Sequence, residues 1–346
     1  MFRNFSRSEK TRLLEFDIEP AMSSVVNAIR RCILADVKTV AFAYNSIDPA
    51  GQDVHFVKNT SPLHNEYIGE RIGLVPLNLS REEIDKFDPD SWRFELSAES
   101  LPGDFLDVTT KDLSIVNTGP TEIALVAKEV FLPDPVTGDH ILLARLRPER
   151  RGVKEEIVLE AKASHGCGAE HARWCPACQC VSFPLPDEDR IAKAREAADD
   201  KHKFDTIERK MIYKKDGFRF KIESSCGMTP EEIFASGIET LQGMFRDLGE
   251  ALARRDADSV RVVRDEGRSS TLKLLGQSDT VGAVLQHWVF DKVDFVGYNT
   301  PHPMEKSIAI TVSSDRDAHD VLHDACVEVS RYLEKMVGEW IKASKN

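Results

Sequence analysis

Phe218-Arg219-Phe220-Lys221-Ile222-Glu223-Ser224, followed by Thr229-Pro230-Glu231-Glu232-Ile233-Phe234, is the stretch from which the fold is read. Phe218, Phe220 and Ile222 alternate with charged neighbours, the period of a half-buried strand. Thr229, Pro230 and Glu232 have the types and spacing of an N-cap, a first-turn proline and the N3 partner of a capping box. A helix is therefore predicted to start here. Phe234, Ile238, Leu241, Phe245, Leu248 and Leu252 carry its apolar face to about residue 253.

Toward the C-terminus the plan recurs. Residues 271–275 read as a strand, and a helix near 280–290 has Val281, Val284, Leu285 and Trp288 on one face. Ile308, Ile310 and Val312 mark a strand over 306–312. The long final helix carries Val321, Leu322, Ala325, Val329, Leu333, Met336 and Trp340, and at 1.5 Å per residue it spans roughly 40 Å. Toward the N-terminus, Leu14, Phe16 and Ile18 alternate over 12–18. A helix is predicted over 20–36, starting at Pro20, with Met22, Val25, Val26, Ile29 and Ile33 on one face. Asn27, Arg30 and Arg31 fall off that stripe.

One unit thus occurs twice: strand, helix, gap, strand, long helix. The first gap runs 37–217 and the second 291–305. This points to two homologous half-units, the first with a whole domain inserted. Coincidence is the alternative, because strand–helix alternation is common. Packing one half against its twin would bury both long apolar stripes. Residues 40–185 have the texture of a β-rich domain. Their short apolar runs are separated by turn signals such as Asp48-Pro49-Ala50-Gly51, Leu101-Pro102-Gly103-Asp104 and Pro133-Asp134-Pro135. Residues 187–203 are charged and Ala-rich, a solvated connector that is part helical.

The length of 346 residues suggests two or three domains, and 41% hydrophobic with 30% charged residues supports sizeable cores. No apolar run approaches the roughly 18 residues of a membrane span, and Met1–Arg7 lacks the apolar region of a secretory signal, so an intracellular protein is expected. Seven cysteines, an odd number, do not make a disulfide scaffold. The net charge of −12 opposes broad contact with a nucleic-acid backbone and favours a protein partner. P-loop, His-Glu-x-x-His and Gly-x-Ser-x-Gly signatures are absent, and Asp88-Pro89-Asp90 and Asp256-Ala257-Asp258 read as solvated turn acids, so no catalytic residue is predicted. Cys167, Cys175, Cys178 and Cys180, with His165 and His171, include the spacing of a zinc knuckle. They read equally as small buried apolar side chains. A redox Cys-x-x-Cys favours a helix N-terminus, which this β-rich stretch does not offer. A zinc-binding or thiol-redox protein using Cys175, Cys178 and Cys180 is the alternative function.

Asn27-Ala28-Ile29-Arg30-Arg31-Cys32-Ile33-Leu34-Ala35-Asp36-Val37 resembles the first-helix signature of the archaeal D subunit of RNA polymerase. It is equally similar to that of the third-largest subunit of eukaryotic RNA polymerase II and, more distantly, of the bacterial α-subunit N-terminal domain. Residues 64–77 resemble the family's second signature. Gly168-Ala169-Glu170-His171-Ala172-Arg173-Trp174 is similar to its Gly-Lys-Glu-His-Ala-Lys-Trp stretch, and Ile222-Glu223-Ser224 with Ile238-Glu239-Thr240-Leu241 also matches. The C-terminal portion resembles a different subunit, archaeal L or the eleventh subunit of RNA polymerase II. Asp279-Thr280-Val281-Gly282 stands where that family has His-Thr-Leu-Gly-Asn, and residues 295–305 resemble its Ala-Gly-Tyr…Pro-His-Pro-Leu-Glu segment. Glu70 replaces a usual His, Asn65 a usual acid, Asp279 the His and Ala283 the Asn of the L-like motif. The cysteine cluster that some relatives carry for zinc or iron–sulfur is missing at 80–105.

The resemblance implies an α+β fold in which two alpha-type dimerisation half-units pack as an intramolecular pseudo-twofold dimer, plus the inserted β-rich domain. The expected boundaries are 1–40 with 204–255 for the D-like half, 41–203 for the insert and connector, and 256–346 for the L-like half, joined near 254–258. It implies a non-catalytic assembly subunit of a DNA-dependent RNA polymerase, with two subunits fused as in large DNA viruses. Such a subunit nucleates association of the two largest, catalytic subunits. Expected partners are the largest and second-largest subunits and small assembly subunits, with DNA met only through the complex, no membrane and no homodimer. The implied location is the nucleus or cytoplasm of a host cell, or a virion. No cofactor is implied; zinc belongs to the alternative reading. Fusion makes pairing of the halves intramolecular and removes a bimolecular step. Asn27, Arg30, Arg31, Glu66 and Arg71 are the expected contact for the second-largest subunit, where the planar arginine fork makes bidentate pairs. A solvated helix face with weak local ion pairs is the alternative. Leu241, Phe245, Leu248, Leu322, Val329, Leu333 and Met336 are expected to pack between the halves. Residues 295–303 read as a strand entering a rigid turn, with Gly297 allowing close backbone approach.

Overall fold

The computed structural model describes residues 1–8, 10–45 and 52–344; the expected turn at 48–51 lies outside the described residues. The chain opens with β1 (Phe2–Ser8), β2 (Leu13–Ile18) and α1 (Ser23–Ala35). An insertion follows, made of β3 (Lys38–Ala41), β4 (Val54–Asn59), α2 (Asn65–Gly73), α3 (Arg81–Lys86), β5 (Trp92–Glu99), β6 (Leu106–Thr109), β7 (Leu113–Asn117), α4 (Ala127–Val130), β8 (Leu142–Leu146), β9 (Glu156–Ala161) and β10 (Ser164–Cys167). The chain returns through β11 (Ala177–Pro186), α5 (Glu188–Ala197), α6 (Lys201–Thr206), β12 (Tyr213–Ser224) and α7 (Pro230–Arg254). The last part comprises β13 (Val260–Glu266), β14 (Ser269–Leu275), α8 (Asp279–Val289), β15 (Phe295–Asn299), β16 (Ser307–Ser313) and α9 (Ala318–Ser344).

The local signals act as expected at α7. The Thr229 side chain accepts from the Glu232 amide, the Glu232 carboxylate accepts from the Thr229 amide, and Pro230 takes the first turn. At α1 the start differs. The helix begins at Ser23 rather than at Pro20, and Met22, its N-cap, offers no side-chain acceptor. Val25, Val26, Ile29 and Ile33 are buried, as the 3–4 spacing predicts.

Two four-stranded antiparallel sheets share one strand order. The first runs β1-β2-β12-β11 and the second β13-β14-β16-β15. In each, a hairpin leads into a helix and a second strand pair leads into a long helix. Sequence periodicity finds only the two inner strands of each sheet and the edge strand β15. The edge strands β1 and β13 escape it because they bury only Phe2 and Val260 and expose most of the rest, and each pairs through an irregular register. The expected insert also ends elsewhere. β11, read as part of the insert, pairs with β12 from Ala177↔Ser224 onward and belongs to the first sheet. Residues 187–212, with α5 and α6, are a second excursion between β11 and β12. The first insertion carries the sheet β4-β9-β5-β7, the pair β6-β8, and a neck in which β3 pairs with β10.

Helices fill the space between the two large sheets. α1 and α7 contact the first sheet, α8 and α9 the second, α7 packs along α9, and α1 contacts both α7 and α8. The α7–α9 pair is antiparallel. Trp340 Nε1 donates to Glu231 O at 3.0 Å, Gln242 Nε2 to Ser330 O at 3.5 Å, and His323 Nδ1 lies 2.9 Å from Gly249 O. Leu241, Phe245, Leu248, Leu322, Val329, Leu333 and Met336 are all buried. At Gly237 an added Cβ would come within 2.5 Å of the Ile33 side chain, so the missing side chain sets how closely α7 meets α1. Trp340, near the end of α9, sits in an aromatic cluster with Phe2, Phe5, Phe16 and Phe234, at centroid distances of 4.4–5.7 Å. The last helix thereby closes onto the first sheet.

Candidate subunit interface

The outward edge of α1 is built by its own periodicity. Asn27, Arg30 and Arg31 lie off the buried stripe, Asn27 exposed and the arginines half-buried. Arg30 donates from Nε and from a terminal nitrogen to Asn27 Oδ1, at 3.1 and 2.9 Å. No carboxylate among the described residues pairs with this guanidinium. Beneath it the Cys180 thiol of β11 reaches Arg30 O at 3.9 Å. Arg31 acts on groups at the end of α1 and in the last part of the chain through its charge. Burial and the Asp279 charge raise the Tyr298 hydroxyl while Arg31 opposes them. Burial likewise raises the Asp36 carboxyl, against Cys32, Arg31 and Lys306. Arg31 therefore lies within electrostatic reach of Tyr298, and Asp36 at the end of α1 within reach of Lys306, while α1 itself contacts α8 of the last part of the chain. Periodicity alone does not place Tyr298 and Lys306 near α1, because they come from the other half of the chain. The close backbone approach in this region is at Gly282 rather than Gly297. A Cβ on Gly282 would fall 2.7 Å from the Tyr298 ring, whereas one on Gly297 would meet only the Phe295 ring, at 3.1 Å.

Glu66 and Arg71 sit on α2 in the insertion, and no hydrogen bond or ion pair among the described residues links them to Arg30 or Arg31. Glu66 is exposed in the first turn of α2. Arg71 is occupied: it donates to Leu143 O at 3.2 Å and Leu142 O at 3.4 Å, tying α2 to β8. The second and third signatures instead form an internal junction. Arg173, its side chain only 4% exposed, donates to Phe42 O at 2.8 Å and Tyr44 O at 3.0 Å and lies 3.5 Å from Glu70. Burial lowers its guanidinium while Glu70 and Asp53 support it. Glu70 thus supplies a counter-charge here. A Cβ on Gly73 would strike Arg173 and one on Gly69 would strike Tyr44; one on Gly168 would come within 1.9 Å of Leu34 O, at the end of α1. Thr39 Oγ1 donates to Trp174 O at 2.6 Å. These residues hold the insertion's neck to α1. The Gly-x-x-x-Gly spacing of 69 and 73 was the available sign of that close packing.

The four cysteines of the candidate metal site are not gathered, and no group of three or more metal-ligating side chains occurs among the described residues. Cys180 points inward to α1, exposed Cys178 bonds to Glu223 O, and Cys175 bonds to Ala177 O at 3.2 Å. Burial pushes the Cys180 thiol up to about 12, and it raises Cys178 as well. This is opposite to the lowered value of a thiolate nucleophile. Cys178 and Cys180, two residues apart, would share a face of a regular strand, but the register shift between Ala177 and Gln179 separates them, and Cys175 precedes the strand.

Comparison with known proteins agrees with this geometry. Residues 15–245 match the RNA polymerase Rpb3/Rpb11 dimerisation domain, and residues 269–339 match a second domain of the same description. The chain is 29% identical over 218 residues to DNA-directed RNA polymerases IV and V subunit 3B of Arabidopsis thaliana, covering 58% of this chain and 63% of that one. It is 28% identical over 187 residues to DNA-directed RNA polymerase subunit Rpo3 of Methanobrevibacter smithii, covering 52% and 58%. Against DNA-directed RNA polymerases I and III subunit RPAC1 of Saccharomyces cerevisiae it is 27% identical over 297 residues, covering 67% and 82%. The chain spans about three-fifths of the length of the plant relatives it matches. No helix among the described residues is long and apolar enough to cross a membrane. With one dimerisation domain matched in each half and the two halves joined through α7 and α9, this chain belongs to the RNA polymerase Rpb3/Rpb11 dimerisation-domain family.

Proposed function

We propose that this chain is a non-catalytic assembly platform of a multisubunit DNA-dependent RNA polymerase, with a subunit-3-like half and a subunit-11-like half fused in one chain. It nucleates association of the two largest subunits, as fused forms in large DNA viruses are expected to do. The observation that carries this reading is the antiparallel α7–α9 contact between the two matched stretches, backed by the shared strand order of their sheets. The halves then form a pseudo-twofold pair within one molecule, so the platform needs no separate pairing partner. The first half comprises residues 1–37 and 175–255, the insertion 38–174, and the second half 256–346.

The outward contact is the composite surface of Asn27, Arg30 and Arg31 with Tyr298 and Lys306. Its occupant is the second-largest subunit, to which the arginine forks present bidentate donors for carboxylates. Glu66 extends the contact from the insertion, whereas exposed Arg71 ties α2 to β8. Co-purification of the full chain with the second-largest subunit tests this assignment. Arg30→Ala with Arg31→Ala should cut recovery of the complex at least tenfold while leaving the far-UV spectrum and melting unchanged. Undiminished recovery in the double variant would remove this surface from the account.

A further inference from the structure

Cys175 and Cys226 were unconnected in the sequence. Cys175 belonged to the supposed knuckle, and Cys226 lies beyond the strand that precedes α7. The register of the first sheet brings them together. β11 and β12 pair antiparallel with Ala177 opposite Ser224 as the outermost pair, and one backbone hydrogen bond lies beyond it. The Ser225 amide donates to Pro176 O at 2.9 Å, and Pro176, with no N–H, cannot return the bond. Extending the register one step outward sets Cys175 beside Cys226. Facing Cα atoms of an antiparallel pair stand about 4.5–5.5 Å apart, within the range of about 4.4–6.8 Å that a disulfide spans. Two further contacts hold the backbones at this step: Ser225 Oγ donates to Cys175 O at 2.9 Å, and the Cys226 thiol reaches Pro176 O at 3.6 Å. Both cysteines are half-buried and line one small cavity of about 130 Å³, together with Thr39, Leu74 and Arg173.

We propose that Cys175 and Cys226 are a redox modification site, a facing thiol pair that closes to a disulfide by exchange with a small-molecule disulfide. The Cys175 thiolate attacks one sulfur of the oxidant and expels its first thiol. The Cys226 thiol, which burial pushes up, must first ionise; its thiolate then attacks Cys175 in the mixed disulfide and expels the second, so closure speeds up as pH rises. Two protein thiols are oxidised, the one disulfide co-reactant is reduced to two thiols, and the thiol protons pass to the leaving groups. The bridge joins the return of the insertion to the loop that leads into α7. It therefore locks the insertion's neck to the dimerisation half, at the junction where Arg173 and Thr39 already act.

The test uses the full chain equilibrated in oxidised and reduced glutathione and quenched with an alkylating agent. Peptide mapping without reduction follows, with thermal melting of the same samples. A linked peptide pair containing Cys175 and Cys226, lighter by two hydrogens than the reduced pair, should appear with a rise in melting temperature. Cys178→Ser should leave both intact, whereas Cys175→Ser and Cys226→Ser should each abolish the link and the rise. Glutathione captured on exposed Cys178 alone, or a link that joins other cysteines, would overturn the proposal. So would full alkylation of Cys175 and Cys226 at every ratio tested. The wild-type map decides this even if a serine variant fails to fold.

Discussion

Trp340→Ala probes the joint between the halves where most apolar surface meets. Trp340 belongs to the second half, yet it is 1% exposed and lies among Phe2, Phe5, Phe16 and Phe234 of the first. Truncating a buried tryptophan costs about 3–5 kcal/mol. Its Nε1 bond to Glu231 O adds about 1 kcal/mol. Trp340→Phe keeps an aromatic ring and loses the bond, so its cost should be about 1–2 kcal/mol. Ile341→Ala, one position on and 45% exposed, is the control and should stay within about 0.5 kcal/mol. The assay is urea unfolding followed by far-UV ellipticity. With a slope of about 3 kcal/mol/M, the alanine variant should lose on the order of 1 M in midpoint. A Trp340→Ala midpoint indistinguishable from that of Ile341→Ala would mean that the end of α9 does not close on the first sheet.

Two further outcomes follow from the internal junction and the first sheet. Arg173→Met removes the donors that serve Phe42 O and Tyr44 O and leaves two inner carbonyls unpaired; a loss of about 2–4 kcal/mol in the same unfolding assay is expected, with Arg173→Lys recovering only part of it. Burial alone raises the Asp17 carboxyl, but hydrogen bonds from Arg219 and Asn4 and the charges of Arg219 and Lys214 outweigh it and hold it below the usual range. A carboxyl depressed in the folded state contributes its stability above the unfolded value of about 3.9 and loses it as pH falls through the lower folded value. Asp17→Asn should therefore flatten the acid limb of the stability profile below about pH 4, and an unchanged limb would exclude Asp17 as its source.

The long helices were legible in the sequence because two kinds of signal agree in them. α7 has a capping box, a first-turn proline and an unbroken apolar stripe, and its observed bounds differ from the reading by a residue or so. β1 and β13 were not legible, because an edge strand that buries a single side chain has no period to detect. β11 was assigned to the wrong unit for a different reason. It follows the insertion without a break in composition, and only its pairing with β12 reveals where it belongs. At the candidate interface, Arg30 and Arg31 stand out because they lie off the stripe of α1 within a stretch resembling the family's first-helix signature. Tyr298 and Lys306 come in only through their electrostatic reach to Arg31 and Asp36. In the sequence Arg71 reads as a subunit contact or a local ion pair; it is exposed, and it is held by the backbone carbonyls of β8, which no local pattern encodes. Arg173 lay in a recognised motif, yet only its burial shows that the motif builds the neck.

The central claim is that one chain supplies both halves of the platform. The most direct measurement is the mass of the purified full chain, alone and mixed with the second-largest polymerase subunit, by light scattering after size separation. The account predicts a monomer of 38.9 kDa that forms a one-to-one complex with no second dimerisation subunit added. A homodimer of this chain would contradict it, as would a complex that forms only when a separate subunit-11-like protein is supplied.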